Sequence, residues 1–246
     1  MTSLNLRARI VLFLIAAIVA AMGASGRGSA EGAGEGTNWF ALADRLEYQT
    51  NDGSGLLVWD AQAWYGGDYN KLWIKTEGER RLEGGGGFEE AELQALYSRA
   101  IHPFWDFQIG VRRDFEPGPS RTFGVIGIQG LAPYWFEVDA AVFVSDDGDI
   151  SARVEGEYDV LLTQRLIVQP RAELNFAAQD VKKLDIGSGL TDATLGLRLR
   201  YEIKREFAPY IGVSWRHKVG KTADFARDAG DDVGTASFVV GVRMWF

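Results

Sequence analysis

From about residue 42 to its last residue the chain alternates apolar and polar positions, segment after segment. In 193–203, Ala193, Leu195, Leu197, Leu199, Tyr201 and Ile203 share one face, while Arg198, Arg200 and Glu202 take the other. In 134–145, Tyr134, Phe136, Val138, Ala140, Val142 and Val144 oppose Trp135, Glu137, Asp139 and Ser145. Residues 150–160 set Ile150, Ala152, Val154, Tyr158 and Val160 against Arg153, Glu155, Glu157 and Asp159. The chain closes with Phe238, Val240, Val242, Met244 and Phe246 on one side and Arg243 and Trp245 on the other. A two-residue period is that of a strand with one apolar and one polar face. It predicts strands at 42–50, 56–66, 70–81, 88–101, 103–114, 121–130, 134–145, 150–161, 165–178, 192–203, 207–218 and 235–246.

Two architectures give such alternation: a soluble sandwich or barrel with its apolar side inward, and a membrane barrel with its apolar side outward. Segment length favours the second, since about 9–11 tilted residues span a bilayer whereas strands of soluble sheets average about 5–6. Aromatic residues near the ends of the apolar faces (Tyr134, Phe136, Tyr158, Tyr201, Phe207, Phe246) fall where the girdles of a membrane barrel lie. The last strand, ending on Phe246, resembles the C-terminal signature of bacterial outer-membrane barrels. The expected fold is therefore all-β: a transmembrane, antiparallel, up-and-down barrel of about twelve strands. Loop lengths agree with that number. The longest connections, 179–191 and 219–234, fall on the same end as the Gly84–Gly87 run and the Asp146–Asp149 turn. His102-Pro103, Leu131–Pro133, Leu162–Gln164 and Lys204–Glu206 are tight and fall on the other.

The beginning of the chain is different. Arg7 and Arg9 precede an apolar run from Ile10 to Ala21, and small residues follow to Ala30. This is the layout of a secretory signal peptide and is short for a membrane-spanning helix, which needs about 20 apolar residues. The expected organisation is a signal peptide at 1–30, cleaved between 23 and 30, a Gly-rich linker at 31–40 and the barrel at 41–246.

Composition narrows the chemistry. The 246 residues include no Cys, 2 His and 3 Met, which excludes disulfides, thiolate metal sites and a Cys nucleophile. A net charge of −8 offers no footprint for nucleic acid. The polar faces place Asp60, Lys75, Glu77, Glu90, Glu92, Asp106, Arg112, Glu137, Asp139, Arg153, Glu155, Glu157, Arg171, Glu173, Arg198, Arg200, Glu202, Arg216 and Arg243 in the lumen, with Trp64, Trp73, Trp135 and Trp245 among them. Both signs are interleaved with bulky rings, which predicts a narrow interior laced with ion pairs. No enzyme is expected. A nucleophile must lie within hydrogen-bond reach of its base, yet His217 faces lipid while Ser214 and Ser237 face the lumen. Ser98 is four residues from His102 along an extended strand.

Several stretches carry a family resemblance. They are Trp59–Trp64 (WDAQAW) with Gly67–Trp73 (GDYNKLW), His102–Asp106 (HPFWD), Gly130–Glu137 (GLAPYWFE), Tyr158–Arg165 (YDVLLTQR) and Phe207–Val213 (FAPYIGV). In this order, from about residue 40 to the C-terminus, they resemble the copper resistance protein B family of Gram-negative outer membranes. The resemblance implies a monomeric barrel surrounded by outer-membrane lipid. It also implies a role in copper tolerance, by binding copper or moving it outward, and a periplasmic copper-handling partner such as a multicopper oxidase or a copper carrier. The chain departs from the family at 25–40, where many members carry a Met- and His-rich segment suited to copper and this one has neither residue. Beyond the signal, the imidazole and thioether ligands are His102, His217 and Met244. His102 and His217 fall at opposite ends of the barrel, on the order of 25 Å apart, and Met244 faces lipid. Two readings of His102 stand. It is a copper ligand, with Asp106 and acids such as Glu90 or Glu92 adding oxygens, or it only forms the turn before Pro103. The Asp146–Asp149 turn lacks the length and terminal Glu of a calcium-binding EF-hand loop.

Overall fold

The computed structural model describes residues 36–246 apart from 52–53 and 83–86. The expected signal peptide, residues 31–35 of the expected linker and residues 84–86 of the Gly84–Gly87 run lie outside the described residues. Strands β1 (Asn38–Asn51), β2 (Ser54–Gly66), β3 (Asn70–Arg81), β4 (Phe88–His102), β5 (Trp105–Glu116), β6 (Arg121–Ala132), β7 (Phe136–Ser145), β8 (Ile150–Glu157), β9 (Val160–Leu161), β10 (Leu166–Ala177), β11 (Gly189–Tyr201), β12 (Phe207–Lys218) and β13 (Gly234–Trp245) follow one another. Each is antiparallel to its neighbours, and β1 pairs with β13 from Leu42↔Trp245 to Thr50↔Phe238. The sheet closes on itself and leaves no edge.

β8 and β9 make one stave, so the barrel has twelve. Both pair with β10 in the same register. The interruption falls opposite Pro170, whose carbonyl accepts the Tyr158 N–H at 3.2 Å. Proline has no N–H to return, so the ladder loses a bond there.

The alternation sorts as expected. Ile126, Val142, Leu195, Leu197, Ile211, Val213 and Val240 stand outward and exposed, while Val125, Phe143, Arg198 and Arg200 are buried inward. The barrel begins at Asn38, inside the segment expected to be linker, and a β-bulge hides the period of this first strand. Pairing of β1 with both neighbours slips at Asp44. Asp44 and Arg45 consequently both face inward, where Asp44 meets Arg243 at 2.6 Å and Arg45 meets Asp60 at 3.0 Å. An extra residue reverses the parity of everything before it, so the two halves of β1 cancel each other's alternation in the sequence. A second departure is at Pro133–Trp135, which forms a tight turn and not the start of β7. Tyr134 and Trp135 both have φ of 69° and are 83% and 69% exposed. Trp135 is therefore at the rim and not in the lumen.

Short turns gather at one end of the barrel and the longer connections at the other. At the loop end, helix α1 (Gly220–Ala229) occupies much of the connection expected to be irregular. Thr222, Ala223 and Ala226 are its buried face, and Gly230 ends it in the left-handed conformation, returning its N–H to Ala226 and Arg227. The helix is latched to the β10–β11 loop. Lys221 meets Asp180 at 3.0 Å, and the Gly187 N–H donates to Thr222 Oγ1 at 3.0 Å.

The Ser188 backbone N–H, the Ser188 side chain and Lys221 hold the Asp180 carboxyl down at about 2. Because that value is depressed, the latch is complete above the ordinary carboxylate range and is lost only as pH falls through the lowered value. Asp180→Asn is expected to loosen the loop at neutral pH. Limited trypsin digestion at Lys182 and Lys183 of the detergent-folded barrel should then run faster than in the parent.

Candidate functional site: the charged lumen

Strand parity delivers charged side chains to the inside, and closure sets them facing one another in a narrow bore. Each needs a counter-charge there. Arg153 of β8 reaches Glu77 of β3 at 3.0 Å, Glu92 of β4 at 3.1 Å and Glu173 of β10 at 3.7 Å. Glu92 also holds Arg112 at 2.7 Å, and Glu173 holds Arg171 at 3.2 Å. Arg171 in turn meets Glu155 at 2.5 Å, and Lys75 meets Asp139 of β7 at 2.5 Å. Glu79 is bound by Arg216 across the bore. Near the seam, Glu47 accepts from Arg198 Nε and Nη2 at 3.1 and 2.9 Å and from the Tyr210 hydroxyl at 3.0 Å.

Rings fill the rest. Trp73, Leu96, Phe123, Val125 and Phe143 form a buried cluster inside the barrel, with Trp64 and Ala141 against it. Phe40 lies between Trp64 and Trp245, with ring centres 6.2 and 6.0 Å apart. Arginine sits over the rings as well: the Arg112 guanidinium is 4.7 Å from the centre of Phe143. Between them lie a cavity of about 440 Å³ towards the loop end and another of about 30 Å³ deeper in the bore. The deeper one is about the share of a single water in the liquid.

The two residues expected to take metal both lie near the short-turn end, His102 at the end of β4 and Asp106 near the start of β5. His102 ends β4 at the short-turn end, exposed, with its ring 6.2 Å from that of Phe104. Asp106 faces the lumen, paired with Lys71 at 3.2 Å and accepting from Ser98 Oγ at 3.4 Å. Glu90 and Glu92 cannot assist His102. They lie at the opposite end of the same strand, ten or more residues or roughly 30 Å away, and Glu92 is committed to Arg112 and Arg153. Among the described residues no three His or carboxylate groups converge in a way that could hold a metal ion. His217 stacks on Trp215 at 5.2 Å at the loop end, while Ser214 and Ser237 are buried on the inner face, so these residues form no Ser–His pair.

Sequence reasoning missed Asp44, Arg45 and Glu47, hidden by the bulge, and Tyr210. It also missed Glu79, which the parity that placed Glu77 inside should have found.

A closed twelve-stave barrel with an apolar exterior, a charged lumen, short turns at one end and long loops at the other is an outer-membrane-type β-barrel. The NanC porin shares this fold: it is 12% identical with a TM-score of 0.55, and the match covers 84% of this chain and 99% of that one. The family model for copper resistance protein B precursor (CopB) matches residues 37–246, and the chain belongs to that family. It is 49% identical to copper resistance protein B of Escherichia coli over 209 residues, covering 85% of this chain and 70% of the relative. It is 48% identical over 210 residues to the copper resistance protein B homolog of Pseudomonas syringae pv. tomato (strain ATCC BAA-871 / DC3000), with the same coverage.

Proposed function

We propose that this chain sits in the bacterial outer membrane as a monomeric barrel and contributes to copper resistance by giving copper a way out of the periplasm. The observation that carries this reading is family membership across the whole barrel. In a membrane barrel the short turns face the periplasm and the long loops face outward. This orientation puts exposed His102 where a periplasmic multicopper oxidase or copper carrier would arrive. A lone imidazole holds copper weakly. Asp106 lies just inside and would have to release Lys71 before it could take a metal, so the two are successive contacts on a path. The interior favours passage over storage, because Glu92, Glu77 and Glu155 are already occupied by arginine.

Deleting the chain is expected to lower copper tolerance, and supplying it again should restore it; unchanged tolerance would count against the copper role. Titration of the detergent-folded barrel with Cu(I) and Cu(II), compared with His102→Ala, tests the mouth. Binding lost in the variant supports His102 as the receiving contact. If the parent does not bind, copper capture belongs to the partner and the barrel is a conduit or a scaffold without its own copper site. That second reading is favoured by the absence of Met and His from residues 25–40.

A further inference from the structure

The two cavities of the bore have three lining residues in common: Glu77, Phe143 and Arg153. These side chains are therefore the wall between the chambers. Phe143 belongs to the packed cluster and cannot leave without opening a void. Arg153 is different. It is a long side chain on β8 whose guanidinium crosses to β3 and β4, with β5, β6 and β7 lying between on the shorter way round. It forms a bar across the bore.

The cost of withdrawing that bar is set by what its partners do next. Glu92 keeps Arg112 at 2.7 Å and Glu173 keeps Arg171 at 3.2 Å. Glu77 faces Arg153 alone among the ion pairs of the described residues. Swinging Arg153 aside thus leaves one carboxylate without a counter-charge, not three. A cation entering the gap restores that charge, whereas an anion makes the imbalance worse. The chambers on either side have the same bias. Acidic side chains outnumber basic ones eleven to six around the outer cavity and three to two around the inner one.

We propose that Arg153 gates the bore for small cations, standing in for the permeating ion at Glu77 while the path is closed. The proposal rests on the reading of the barrel as a conduit but does not require copper as the cargo. It is tested in plain KCl, so its failure is distinct from a failure of the copper reading.

The experiment is single-channel recording of the full chain in planar lipid bilayers. Arg153→Ala removes the bar and frees Glu77. The double variant Arg153→Gln, Glu77→Gln removes the bar and leaves no orphaned charge, which protects folding. Heat-modifiable gel migration confirms that each variant is folded. Both variants are expected to conduct several-fold more than the parent, and Arg153→Ala should shift the reversal potential in a KCl gradient further toward K⁺. Lys183→Ala, in an exposed loop pair with Asp147, should match the parent. Parental conductance in the folded double variant overturns the proposal, as does a gain that favours chloride.

Discussion

Replacing Glu47 with Ala should lower the stability of the folded barrel by about 3–5 kcal/mol, the loss expected when one partner of a buried ion pair is removed. Glu47 is 1% exposed, and three other side chains converge on it: Arg198, Tyr210 and Gln49. Arg198 is itself 4% exposed, and no other acid pairs with it among the described residues. Truncation therefore strands a guanidinium in a buried part of the lumen and leaves the Tyr210 hydroxyl without its acceptor. The site also tolerates little filling. A Cβ at Gly241 would come within 2.6 Å of Tyr210 and 2.8 Å of Glu47, so this glycine leaves room for the pair. Urea unfolding of the barrel in detergent, followed by heat-modifiable migration and tryptophan fluorescence, measures the change. Arg198→Ala should cost a similar amount. Exchanging both residues for Leu should recover most of it, because the expense lies in the unpaired charge and not in the loss of the bridge. If Glu47→Ala and the double Leu variant are equally destabilised, packing and not charge governs the seam.

How much of this was legible beforehand follows from where strand parity is unbroken. From β2 onward one period runs through most strands, and the twelve staves and the lumen residues Arg153, Glu77, Arg171 and Arg198 followed from counting by twos. The reading failed where a residue is inserted or a ladder bond is lost. At Asp44 the bulge places consecutive residues inside, so the first strand was seen to begin at 42 and Glu47 was not recognised. At Pro133 the chain enters a tight turn, and parity carried through it wrongly placed Trp135 in the bore. The α1 helix was missed because its buried face is made of Thr222, Ala223 and Ala226, small side chains with a weak hydrophobic signal, although Gly230 was available as a C-terminal stop. Pairing partners were illegible for another reason. Which carboxylate Arg153 meets depends on strands brought face to face by closure, and alternation within a strand carries no information about the strand across the bore. The error over Glu90 and Glu92 was of a simpler kind: residues close in sequence on an extended strand are far apart in space.

The outward face supports the second large prediction. Ile126 lies at the middle of β6, is 56% exposed, and has Ile109 and Val142 as its register neighbours on either side, both outward and apolar. In water such a position would accept arginine at little cost. In lipid it is the midplane, where arginine costs about 2–4 kcal/mol, falling to about 0–1 near the interfaces. Ile126→Arg should accordingly destabilise the vesicle-folded barrel by several times more than Val144→Arg, made on the same face but one residue from the loop end of β7. Urea titration in lipid vesicles reads both. Equal and small costs would mean that the apolar band does not meet hydrocarbon. A steep difference between the two depths would place the membrane around the middle of the strands. It would also explain why the charges face inward, since the bore is the one place in the bilayer where Arg153, Arg171 and Arg198 find carboxylates within reach.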